Sequence, residues 1–90
     1  MLSMQYQESA IALFIESYIY YYPRIFRYVL HRIDGDIHSA EDITQEVFTR
    51  FYTRMNNLSP HAVHNWLYSA SKNILREHYR NNNYIYNCGD

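Results

Sequence analysis

Ser39-Ala40-Glu41-Asp42-Ile43-Thr44-Gln45-Glu46-Val47-Phe48-Thr49-Arg50-Phe51-Tyr52-Thr53-Arg54-Met55 carries the clearest periodicity in the chain. Ile43, Val47, Phe48, Phe51, Tyr52 and Met55 recur at intervals that mark one face of an amphipathic helix. Ser39-Ala40-Glu41-Asp42 resembles a capping box, with carboxylates in the first turn where the helix dipole favours them. Asn56-Asn57 ends the pattern.

The flanking segments read as helices too. Downstream, Ser59-Pro60 is a start signal: a capping hydroxyl followed by proline at the first helical position. Val63, Trp66, Leu67, Ala70, Ile74 and His78 then line one face as far as about Arg80. Upstream, Ile11, Phe14, Ile15, Tyr18 and Tyr22 predict a helix over 8–22. Pro23 has no amide hydrogen and its ring clashes with the preceding turn, so it is expected to end or kink that helix. A second stretch over 24–33 carries Ile25, Phe26, Val29, Leu30 and Ile33 before the loop signal Asp34-Gly35-Asp36. The expected architecture is all-α: a compact bundle of three helices, or four if Pro23 breaks the first. Residues 1–80 form the helical domain and 81–90 a tail or the start of a linker.

Composition agrees. Ninety residues make one small domain, and two Gly with two Pro are too few for a turn-rich β fold. Eleven Tyr and four Phe supply an aromatic core whose edge stays wet through the phenol hydroxyls. The lone Cys88 cannot form an internal disulfide, and no apolar run approaches the roughly 18 residues of a membrane span. A reducing, cytoplasmic setting without membrane insertion is therefore expected.

Net charge is only −1, but its distribution is uneven. Asp34, Asp36, Glu41, Asp42 and Glu46 make the middle acidic, whereas Lys72, Arg76 and Arg80 outnumber Glu77 near the end. Asp42, Gln45, Glu46 and Thr49 share one helix face opposite the apolar stripe. Spacing alone leaves two readings open, a solvated face or a docking surface for a basic partner. Asn65, Ser69, Lys72, Asn73, Arg76 and Arg80 form a second polar stripe, flanked by Tyr68 and Tyr79. Cations there would neutralise phosphates, amides would read base edges and the rings would stack on an unpaired base. A solvated surface is the competing reading. His61 and His64 have no further metal ligand at suitable spacing, and no calcium-loop, nucleophile or phosphate-loop pattern is present. Neither enzymatic activity nor a cofactor is expected.

Ala40-Glu41-Asp42-Ile43-Thr44-Gln45-Glu46-Val47-Phe48, followed by Phe51-Tyr52, resembles the helix that bacterial sigma factors press against RNA polymerase. The run from Asn65-Trp66-Leu67-Tyr68 through Lys72-Asn73 to Tyr79-Arg80 resembles the family's promoter-melting helix, and Tyr21-Tyr22-Pro23-Arg24-Ile25-Phe26-Arg27-Tyr28 is similar to its first-helix pattern. The ordered match spans roughly residues 10 to 80 and points to region 2 of the extracytoplasmic-function (ECF) type. This resemblance implies that Asp42, Gln45, Glu46 and Thr49 dock on the clamp helices of the polymerase core. Asn73, with the loop from Asn56 to about Asn65, would form a pocket for a base flipped from the non-template strand of the minus-ten element. Lys72, Arg76 and Arg80 would hold that strand's backbone, and Trp66 would anchor the core. The family also implies an anti-sigma factor as partner and a following helix-turn-helix domain, toward which the tail from Asn81 to Asp90 would lead. A helical module that binds only protein remains the alternative.

Overall fold

A computed structural model describes residues 2–81, with side chains from Ala10 onward; Cys88 and the tail beyond Asn81 lie outside the described residues. Helix α1 (Leu2–Arg32) is followed by α2 (Ile37–Arg54) and α3 (Val63–Asn81), with 3-10 turns at Met55–Asn57 and Pro60–Ala62 between the last two. Ring contacts set the directions. Phe14 meets Phe51 and Tyr52, while Tyr22 meets Phe48, so α2 runs back along α1. Tyr21 meets His64, Tyr28 meets Tyr68, and Tyr79 bonds to Arg32, so α3 runs parallel to α1.

Helix α2 is central. Ile43, Val47, Phe48, Phe51 and Met55 are buried, but Tyr52 is 57 % exposed and leaves the predicted stripe. Its position on the helix leads out of the core beside α1, where Phe14 covers one edge of the ring. On α1 and just past its end, the core is made by Ile25, Val29 and Ile33, while Ile11 and Ile15 are exposed. The core also holds three hydroxyls that apolar periodicity does not mark, those of Ser17, Thr44 and Ser71. Thr44 and Ser71 are fully buried because each donates to the carbonyl four residues earlier, Ala40 and Leu67 respectively, at 2.7 Å.

Pro23 does not divide the first helix; α1 runs through it. The proline is on the exposed side, where water can serve the Ile19 carbonyl that lacks an amide partner. Both flanks are pinned, by Tyr18 and Tyr22 against Phe48 and by Ile25 and Val29 in the core. Tertiary packing therefore overrides the local preference of proline.

The two predicted starts shift. Helix α2 is capped by Asp36, not Ser39: the Asp36 carboxylate accepts from the Ser39 amide at 3.3 Å and from its hydroxyl at 2.8 Å. The start falls three residues early because Gly35 sends its amide back to the Leu30 carbonyl and Asp34 takes the left-handed conformation, φ 62°. These features close α1 and place Asp36 at the next cap. Ser59 makes no side-chain cap bond; Pro60 opens a 3-10 turn and α3 proper begins at Val63.

Two outcomes follow. Pro23→Ala restores an amide donor in an exposed helix interior and is expected to stabilise the chain by roughly 1–3 kcal/mol, read as a higher urea midpoint. The hydrogen bonds from the Ser39 hydroxyl and amide hold the Asp36 carboxyl below its ordinary pKa. Its contribution is therefore present above the unfolded carboxylate value and disappears as pH falls through the folded one. Asp36→Ala should lower the melting temperature by several degrees at neutral pH, with the gap closing as acid takes the medium below the ordinary carboxylate range. A gap that persisted in acid would rule out the charged cap.

Candidate protein and nucleic-acid interfaces

Asp42, Gln45, Glu46 and Thr49 are all exposed, on the side of α2 away from the core. They are not equivalent. Asp42 makes no ion pair among the described residues. Glu46, by contrast, accepts from Arg50 Nε at 2.9 Å. Arg50 also donates through both terminal nitrogens to Glu77 of α3, at 3.3 and 2.9 Å. One guanidinium thus ties the acidic face of α2 to α3. The Glu77 hydrogen bonds, then the one to Glu46, hold the Arg50 proton more firmly than usual, and the Arg50 contact lowers the Glu77 pKa. All three groups are partly solvated, so the network orients side chains more than it stabilises the fold. Gln45 and Thr49 border an apolar groove of about 300 Å³ shared with Phe14, Tyr18, Phe48 and Tyr52.

The α3 stripe is exposed along its length at Asn65, Ser69, Lys72, Asn73, Arg76 and Arg80. Within it, Arg76 donates to the Asn73 carboxamide at 3.0 Å. Asn73 and Ser69 line a cleft of about 280 Å³ between α2 and α3, with Trp66, Ala70, Arg50, Thr53 and Arg54 on its other walls. The expected loop from Asn56 to Asn65 does not line this cleft; helix side chains build it, because the 3-10 turns carry the chain around the end of the bundle. Trp66 is half-buried and packs on Phe51 at 5.9 Å between ring centres, while still reaching the cleft. Arg54 was hidden from sequence reasoning because it belongs to the other helix, and only the α2–α3 packing brings it opposite Asn73.

Tyr68 and Tyr79 sit differently from the stacking platforms expected of them. Tyr68 is half-buried, edge-on to Tyr28 at 5.1 Å and tilted against His64 at 4.9 Å. The Tyr79 hydroxyl donates to the Arg32 carbonyl. Both rings close the seam between α3 and α1, where burial also raises the pKa of Tyr21, with the neighbouring Tyr20 adding to it. The exposed stripe is thus bounded by a polar cleft on the α2 side and an aromatic seam on the α1 side.

Among the described residues no group of His, Cys, Asp and Glu is arranged to hold a metal ion. None of their helices is long and apolar enough to cross a membrane.

Comparison with known proteins places this geometry. The family model described as sigma-70 region 2 matches residues 18–84, which includes α2, α3 and the second half of α1 from Tyr18 onward. The chain is also similar to the ECF RNA polymerase sigma factor SigE of Mycolicibacterium smegmatis, 35 % identical over 52 residues. That match takes in 58 % of this chain and 20 % of the relative, so the matched segment corresponds to about a fifth of that protein's length. No solved structure matches. The family match extends over most of the chain and over both exposed faces, and the chain belongs to the sigma-70 region 2 family.

Proposed function

We propose that this chain is an ECF-type transcription initiation domain that binds the RNA polymerase core and captures the non-template strand of the minus-ten element. The observation that carries the reading is the placement of Asn73. It stands at a cleft walled by Trp66, Arg50 and Arg54, on the same α3 face as Lys72, Arg76 and Arg80. An amide beside a polar cleft suits the edge of an unstacked base, and the cations suit the phosphates on either side of it. On this reading Asn65 and Ser69 contact the same strand. Tyr68 and Tyr79 would contribute by shaping the seam beside it.

Polymerase docking is assigned to Asp42, Gln45 and Thr49, with Glu46 sharing its carboxylate between Arg50 and a basic clamp residue. The apolar groove next to Gln45 would receive an aliphatic side chain from the same partner. An anti-sigma factor would inhibit by covering either face. A protein-only module is the second reading, favoured by the engagement of Arg50 and Arg76 with neighbouring side chains.

Asp42→Arg should abolish capture of core polymerase in a pull-down while the circular dichroism melt stays unchanged. Full retention would remove α2 as the docking face. Asn73→Ala should weaken binding at one base position in an oligonucleotide panel by roughly tenfold. Arg80→Ala should weaken all sequences alike and reduce the salt slope by about one. Clamp binding without any promoter-strand binding would support the protein-only module instead.

A further inference from the structure

The strongest cationic surface left unused by that reading is on α1. Tyr20, Arg24, Arg27 and His31 are exposed or rim positions spaced four, three and four apart, so they share one stripe. It borders the α1–α3 seam, because the adjacent line of α1 meets α3 through Tyr21 with His64 and Tyr28 with Tyr68. Lys72, one turn beyond Tyr68, joins this surface to the strand-binding stripe. The α1 segment from Tyr20 to Arg32 contains no carboxylate, and Glu77 of α3 is turned to the other side, onto Arg50. Arg27 makes no ion pair among the described residues.

The seam's aromatic rings indicate which form of nucleic acid this surface suits. The Arg24 guanidinium covers the Tyr20 ring at 3.8 Å, and Arg32 covers Tyr28 at 4.1 Å. Tyr21 and Tyr68 are taken up by ring contacts across the seam, with His64 and Tyr28 respectively, and by contacts along their own helices. These rings are occupied and offer little platform for an unpaired base. Arg24 is further held by its bond to the Tyr20 carbonyl at 2.6 Å, which lowers the ordering cost of meeting an anion. Oriented positive charge without open stacking faces suits a phosphate backbone whose bases stay paired.

We propose that Arg24 and Arg27 form a second nucleic-acid surface, which grips the backbone of duplex DNA next to the strand taken by α3. The proposal rests on the nucleic-acid reading of α3 only for the kind of partner. It is tested with the full chain by fluorescence anisotropy at low salt, on a fork (duplex with a single-stranded overhang) and on the overhang strand alone. The wild-type chain should prefer the fork. Arg24→Gln/Arg27→Gln should lower fork affinity by about tenfold and its salt slope by about two, leaving overhang binding unchanged. Arg27→Gln alone, at an exposed position, should remove about one from the slope without altering the melting temperature. Lysine at both positions should restore fork binding. No preference of the wild type for the fork, an unchanged slope, or equal losses on both DNAs would overturn the proposal. So would a loss confined to polymerase pull-down, which would place an acidic protein on this face. Asn73→Ala should lower binding to the fork and to the overhang strand alike, so failure of the base pocket is read separately.

Discussion

Phe48 and Phe51 sit one turn apart on α2 and touch both other helices. Phe51 meets Phe14 of α1 and Trp66 of α3, while Phe48 meets Tyr18 and Tyr22 of α1. Each such pair adds roughly 0.5–1.5 kcal/mol beyond the area it buries, and in a chain this small these contacts are a large share of the net stability. The hub explains the continuity of α1. With Tyr18 and Tyr22 held on one side of Pro23 and Ile25 buried on the other, breaking the helix would cost more packing than the missing hydrogen bond.

The same hub separates the two exposed polar faces. Since α2 turns its aromatic side inward, its outward side is left to Asp42, Gln45 and Thr49, and α3 in turn exposes Asn73 and its cations. Between the faces lies Arg50, bound to Glu46 on one helix and Glu77 on the other. It stands in the wall of the Asn73 cleft, so a partner that competes for Glu46 would act on a residue of that cleft as well.

Much of the architecture was legible in the residues. The α2 stripe was correct at Ile43, Val47, Phe48, Phe51 and Met55, because the hydrophobic period of a helix packed on both flanks is strong. Thr44, Ser71 and Ser17 were not legible as core: periodicity counts apolar atoms, and two of these hydroxyls become burial-compatible by bonding back to their own helix. The cap shifted to Asp36 because both Asp36 and Ser39 are competent capping residues, and the tight end of α1 chose between them.

The sequence by itself determined a bundle of amphipathic helices, three or four according to Pro23, with an acidic face after Ser39 and a polar, mildly basic stripe on the last. These follow from spacing along one helix, where neighbours three or four residues apart must share a side. Tertiary structure decided what spacing cannot reach. It set Arg54 across from Asn73, turned Tyr68 and Tyr79 into the α1 seam and spent Glu46 partly on Arg50. Each depends on which residues of different helices meet, and that is settled only when the aromatic hub of α2 locks the three helices in register.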